Sequence, residues 1–158
     1  MKVMDSQGGF IAIGHWQIGS IAVRVLSFKD EVIGQPFYEQ RLSAALNMRK
    51  AVGLLHEGHN TTYRLVHGEG DGLPGLVIDI YGDTAVMQAH SVGFHYERDT
   101  VAKALKNVMG DSIRNIFYKS ETTLPYMADL GQENGFLAGG DNVDNIAVEN
   151  GLKFRIDW

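Results

Sequence analysis

The chain has 158 residues, 44% hydrophobic and 21% charged, a balance that fits one ordinary globular domain or two very small ones. It has no cysteine, which excludes disulfides, thiolate metal sites and a cysteine nucleophile from this segment. The net charge of −5 argues against nonspecific nucleic-acid binding over the whole surface, because neutralising phosphates needs an excess of Lys and Arg.

The charge is uneven. Residues 1–50 carry six basic side chains (Lys2, Arg24, Lys29, Arg41, Arg49, Lys50) against four acidic ones (Asp5, Asp30, Glu31, Glu39), whereas the remainder carries eight against fifteen. Any RNA contact is therefore expected in the first third. Apolar runs such as Leu76-Val77-Ile78 are far below a membrane span, and Met1-Lys2-Val3-Met4-Asp5 lacks the apolar stretch of a secretory signal. No membrane partner is expected, and cytoplasm is the default location.

In chain order, residues 10–28 predict a hairpin-like β unit. Phe10-Ile11-Ala12-Ile13 is β-rich, Gly14 and Gly19 read as breaks, and Ile21, Val23 and Val25 share one strand face with Arg24 opposite. Gly8-Gly9 and Lys29-Asp30 read as turns. Gln35 to about Leu55 predicts a helix, with Pro36 at a first-turn position and Tyr38, Leu42, Ala45, Leu46 and Val52 at helical spacing. Arg41, Arg49 and Lys50 fall off that stripe, and Gly53 or Gly58 supplies an end.

Tyr63–His67 reads as a strand, followed by the glycine-rich turn 68–75. Residues 76–81 and 85–90 then flank Gly82-Asp83, a two-residue hairpin signal. Residues 94–109 suit a helix burying Val101, Leu105, Val108 and Met109, and 112–120 a strand. The span 121–146 is polar and reads as loop. Leu152, Phe154, Ile156 and Trp158 alternate with polar residues as in a half-buried strand.

Several motifs carry candidate chemistry. Gly70-Asp71-Gly72-Leu73-Pro74-Gly75 matches the spacing of a dinucleotide loop, but that mechanism needs the last glycine to open a helix. Here the motif runs into a β-rich segment, so an inter-strand turn is expected. His56-Glu57-Gly58-His59 is one residue short of a zinc-protease motif, and Asp141-Asn142-Val143-Asp144-Asn145 lacks the glycine and glutamate of a calcium loop. Both read as polar loops, and no metal is expected. Glu69 and Asp71, with His67 nearby, are paired carboxylates on a turn; turn chemistry and solvation account for them better than acid–base catalysis. Arg24 reads equally as a phosphate contact and as an exposed sheet arginine. His15 and Trp16 are candidates for stacking on a base, although the core is the favoured place for Trp16.

Three segments together resemble a bacterial S-adenosylmethionine-dependent methyltransferase family that modifies C5 of a cytosine in large-subunit ribosomal RNA. Gly19–Leu26 is similar to the last strand of its PUA domain, residues 63–83 to the hallmark of its central domain, and Glu149–Phe154 to the strand leading into its catalytic domain. The resemblance implies an α+β fold. Residues 1–34 would be the C-terminal part of a PUA-like RNA-binding domain and 35–56 a connecting helix. Residues 57–158 would be a small mixed central domain, strands with one packed helix, that leads into a methyltransferase domain not present here.

It further implies S-adenosylmethionine as the cofactor of the full-length family, with none bound by this chain, and ribosomal RNA as partner. Arg24 and Ser20, with His15 as a lesser candidate, would contact RNA. Gly70, Gly72, Leu73, Pro74 and Gly75 would be architectural, with Leu73-Pro74 at a domain interface. Without a thiolate to add to the pyrimidine ring and without a strand–glycine-loop–helix for the cofactor, no catalytic and no cofactor-binding residue is assigned, and the chain alone is expected to be inactive. A stand-alone RNA-binding or ribosome-associated module is the alternative. A third reading is a fragment that acts only through protein contacts, as a homodimer through exposed strand edges or the central domain.

Overall fold

The computed structural model describes all residues except 56–59, 126–129, 131–133, 142, 144–145 and 158. The candidate motif at 56–59 and most of the one at 141–145 lie outside the described residues.

The chain begins with a three-stranded antiparallel sheet, β1 (Lys2–Met4), β2 (Phe10–Trp16) and β3 (Val23–Ser27), in that spatial order. Strand β1, three residues long, is too short to announce itself in the sequence; it exists because β2 offers an edge. Asp5 closes the turn between them, its carboxylate accepting from the Gln7 and Gly9 amides at 2.8 and 2.7 Å. Gly14 does not break β2 but lies within it. A Cβ there would sit 2.2 Å from the Arg24 carbonyl oxygen, so the missing side chain is what allows β3 to come alongside. Strand β3 starts at Val23, not at Ser20, and Ile21 is exposed in the preceding loop. Trp16 is also outside the core, 61% exposed.

Helix α1 (Gln35–Ala51) starts with Pro36 in its first turn, where the missing N–H costs nothing. It buries Phe37, Tyr38, Leu42, Ala45 and Leu46. Its end is a Schellman arrangement: Gly53, at φ 77°, donates to the Lys50 carbonyl and Leu54 to that of Arg49, both at 3.0 Å. Val52 is the capping residue and points to solvent, not into the helix's buried stripe.

A five-stranded sheet follows in the order β4 (Thr62–His67), β5 (Leu76–Tyr81), β6 (Thr84–Ala89), β7 (Asn115–Tyr118) and β8 (Gly135–Ala138). Neighbours are antiparallel except β6 and β7, which run parallel because helix α2 (Val92–Met109) carries the chain across. Helix α2 begins at Ser91, whose hydroxyl accepts from the Phe94 amide at 3.4 Å, a cap worth about 1 kcal/mol. Strand β8 falls inside the span expected to be loop; its four residues become a strand by pairing with β7. A final hairpin joins β9 (Ile146–Glu149) to β10 (Leu152–Arg155) through Asn150 and Gly151, both at positive φ as a two-residue turn requires. All four residues of β10 are exposed, not half-buried as their alternation suggested. The hairpin is held beside β4 by the Thr61 amide on the Val148 carbonyl at 2.8 Å and the Asn150 amide on Asn60 Oδ1 at 2.7 Å.

Both helices lie on one face of the five-stranded sheet. Leu42 and Tyr38 from α1, Phe94, Val101 and Leu105 from α2, and Leu65, Ile78, Met87 and Ile116 from the strands form one core, which Leu26 of β3 joins. Fully burying one such leucine contributes about 1.5–3 kcal/mol. The fold is α+β, as the sequence implied. The other face carries a cross-strand row, Arg64–Asp79–Val86–Phe117–Phe136, one residue from each strand.

Candidate nucleic-acid interface

The glycine-rich segment 68–75 is a loop between two strands. Gly68–Asp71 forms one 3₁₀ turn, Gly72 and Gly75 take positive φ (69° and 90°), and the chain then enters β5. No helix opens at Gly75, so the amide fan that would hold a pyrophosphate is not formed. Leu73 is fully buried and Pro74 buried; Leu73 belongs to the main core with Leu42, Leu65 and Leu76. Gly70 differs from the other two: its φ is ordinary, and a Cβ there would meet nothing nearer than the His67 ring at 3.8 Å.

Four arginines from three elements surround this loop. Arg49 of α1 grips Asp71 with two hydrogen bonds at 2.6 and 2.7 Å. Arg41 of α1 stacks over the Phe37 ring, donates to the Leu26 carbonyl at 3.3 Å, and lies against Gly72. Arg64 of β4 makes a two-pronged pair with Asp79 at 2.8 and 3.0 Å and turns its remaining nitrogen to His67 Nδ1 at 3.4 Å. Arg24 of β3 runs past Gly75, its Cδ only 3.4 Å from where a Cβ would be, and ends 3.4 Å from Glu69 Oε1.

A β-bulge accounts for the Arg64–His67 contact. Three residues apart on a regular strand, these side chains would point to opposite faces. The register shift at Leu65 sets Arg64 opposite Asp79 and His67 opposite Val77, which places both on the face away from the helices. His90, just beyond β6, donates its amide to the Gly75 carbonyl at 2.8 Å. Partial burial, and then the charges of Arg24 and Arg64, hold the His90 pKa below its ordinary value despite the opposing effect of Glu69, so its ring is mainly neutral at pH 7.

The four arginines are not equivalent. Arg49 and Arg64 are each matched by a carboxylate that two hydrogen bonds hold in place. Among the described residues, Arg41 and Arg24 each keep a buried Nε without a partner; Arg41 is held by the Leu26 carbonyl and the Phe37 ring, whereas Arg24 has its long contact to Glu69, whose side chain is 72% exposed. The carboxylates flagged in the sequence separate the same way. Asp71 is bound to Arg49 and to the His67 amide at 2.6 Å, while Glu69 stands in solvent.

Of the three residues expected to meet RNA, His15 and Arg24 are cross-strand partners, and Ser20 is exposed in the loop between β2 and β3. His15 faces inward: its ring meets Phe94 edge-on at 5.0 Å and fills the space over Gly93, where a Cβ would lie 2.1 Å from it. Burial, with help from the charge of the Met1 amino group, lowers its pKa to about 4. It therefore joins β2 to α2; just past the strand, buried Gln17 adds a second tie, its Oε1 accepting from the Val92 amide at 3.3 Å. Trp16 and Tyr96 instead line an open groove beside it. The sequence does not announce that Arg64, His67 and His90 border the same loop as Arg24, because neither the bulge nor the packing of β3 on the loop has a sequence signature. Among the described residues, no group of three or more His, Asp and Glu is placed to hold a metal ion, and no helix is long and apolar enough to cross a membrane.

This arrangement of sheets and helices is one also found in solved methyltransferases. A structure described as a SAM-dependent methyltransferase from Streptococcus mutans superposes over 97% of this chain and 38% of its own, with a TM-score of 0.77 at 18% identity. A methyltransferase complexed with SAH gives the same values. At that identity the likeness concerns the fold alone.

Closer in sequence are proteins named ribosomal RNA large subunit methyltransferase I. That of Aeromonas hydrophila is 31% identical over 161 residues, that of Erwinia tasmaniensis 34% over 160, and that of Photobacterium profundum 32% over 160. Each alignment takes in 99% of this chain, which spans about two-fifths of the length of these relatives, 39–40%. No protein-family model matches the chain.

Proposed function

We propose that this chain is the RNA-holding, non-catalytic portion of an S-adenosylmethionine-dependent methyltransferase of large-subunit ribosomal RNA. What carries the reading is the end-to-end similarity: 99% of the chain aligns with relatives of that name while occupying two-fifths of them. In this reading, residues 1–34 are the end of a PUA-like RNA-binding domain, 35–56 a connecting helix, and 57–158 a central domain that positions a catalytic domain located elsewhere in the protein. Arg24 and Ser20 face the RNA, and the target is a cytosine C5. The protein works in the cytoplasm.

The chain's own residues do not fit the cofactor. The glycine-rich loop leads into a strand, and the N-terminus of the helix that follows is capped by Ser91 and covered by Gln17 and His15. Addition to a cytosine ring needs a thiolate, and the chain has no cysteine. Its contribution is to hold and orient the RNA.

The test is binding of the purified chain to large-subunit ribosomal RNA fragments, measured by fluorescence anisotropy between about 50 and 200 mM salt, where phosphate-dominated complexes lose much of their affinity. Affinity should fall log-linearly with salt and exceed that for an unrelated RNA of equal length. Absence of binding at the lowest salt overturns the proposal.

A further inference from the structure

We propose that Arg24 is the anchor of a phosphodiester-binding site at the junction of the two larger sheets, and that Glu69 occupies this site as an internal competitor when RNA is absent. This rests on the RNA-holding role proposed above and adds to it a site and a means of control.

The first support is geometric. The Arg24 side chain is only 19% exposed and is laid against Gly75, so its guanidinium is positioned before any ligand arrives. Among the described residues its buried Nε has no hydrogen-bond partner, and its Nη1 reaches Glu69 only at 3.4 Å. A guanidinium normally satisfies its donors in pairs on a planar or tetrahedral oxyanion. One exposed carboxylate at that distance leaves it undersatisfied.

The second support is the company around it. Arg64, whose Nη1 meets His67 Nδ1 at 3.4 Å, and His90, whose amide is bound to the carbonyl of the Gly75 that Arg24 passes, border the same loop and add donors around it. Asp71 and Asp79 are the other carboxylates here, and each is already bound by two hydrogen bonds from an arginine. Glu69 alone is exposed and held by one long contact. A carboxylate and a phosphodiester offer the same pair of anionic oxygens, so incoming RNA can take the place of Glu69 while that side chain swings into solvent.

The consequence is that removing an acidic residue and removing a basic one should have opposite effects of linked origin. In the complete chain, Glu69→Gln should bind ribosomal RNA about two- to fivefold more tightly, the size of one exposed ion pair. Arg24→Gln should weaken binding and reduce the slope of log affinity against log salt by about one. In the double variant, Glu69→Gln should bring no gain, because its effect acts through Arg24. Glu69 is solvent-exposed, so its substitution leaves folding intact. A gain that persists without Arg24, or no gain from Glu69→Gln, overturns the proposal.

Inorganic phosphate, titrated while the Arg24 Nε–H resonance is followed by NMR, separates this inference from the RNA-binding role. Perturbation of that resonance, stronger in Glu69→Gln, without RNA binding sustains the anion site and removes the role. RNA binding that ignores both substitutions does the reverse. No response to phosphate and no RNA binding overturn both.

Discussion

Arg49 and Asp71 form a two-pronged ion pair, at 2.6 and 2.7 Å, whose side chains retain only 13% and 9% of their exposure. Arg49 also donates to the Arg64 carbonyl at 3.0 Å, and Asp71 accepts from the His67 amide. One pair thus ties α1, β4 and the glycine-rich loop together. Burial by itself would raise the Asp71 pKa; the hydrogen bonds from Arg49 and the His67 amide outweigh it, and the net shift is downward.

Asp71→Ala should therefore destabilise the fold by about 3–5 kcal/mol, since it leaves Arg49 buried without a counter-charge. Urea denaturation reads this directly. A cost below about 1 kcal/mol would mean that the pair behaves as a surface contact. The sign of the pH effect follows from the lowered pKa: the stabilisation by Asp71 is complete above the ordinary aspartate value and is lost as pH falls below it.

The glycines of the loop should divide by backbone geometry. Gly75→Ala places a side chain at φ 90° and within 3.0–3.1 Å of Ser91, with Arg24 behind it, and should cost about 2 kcal/mol or more. Gly70→Ala has an ordinary φ and open space, and should change stability by about 0.5 kcal/mol or less. A dinucleotide loop would need both. Equal melting-temperature losses in the two variants would contradict the turn assignment.

His15 gives the fold a pH dependence of its own. Its pKa is about 4 in the folded protein against 6.5 in an unfolded chain, so the unfolded state binds the extra proton first. Stability contributed by the neutral ring is complete above pH 6.5 and is lost as pH falls toward 4, by on the order of 2–3 kcal/mol. A His15→Gln variant should show a flatter stability profile across that window in urea titrations. An unchanged profile would place the protonation elsewhere.

The same contact explains Gly93. A methyl group there would overlap the His15 ring at 2.1–2.4 Å, so Gly93→Ala should destabilise by about 1–3 kcal/mol or more. Combining it with His15→Ser should recover much of that loss, because the clash disappears with the ring. Additive losses would show that the cost lies in the helix backbone, not in the interface between β2 and α2.

Local rules were enough wherever an element carried its own start and stop. Pro36 and Gly53 bracket α1, Gly82-Asp83 turns β5 into β6, and the run into Leu76 told against a nucleotide loop. They failed where a partner decides. Gly14 reads as a break, yet it is the place where β3 approaches. Trp16 is apolar and aromatic, yet its neighbour His15 takes the inward face against Phe94, and strand alternation turns Trp16 to solvent. Strand β8 is four residues among glycines and needs β7 to exist.

The same division runs through the candidate site. Arg24 was visible as a basic residue in the basic third of the chain, and Gly72 and Gly75 as turn formers, because charge and backbone freedom belong to single residues. The sequence by itself also determined that the chain has no thiolate, and that its glycine motif leads into a strand. Only the tertiary structure decided that His15 is buried against α2, that a bulge turns Arg64 and His67 to one face, and that Glu69, not Asp71, is the carboxylate facing Arg24. Those are relations between residues far apart in sequence, 45 positions for Arg24 and Glu69, set by how β2, β3, the loop and the helices pack, and no local pattern encodes which arginines a carboxylate holds firmly.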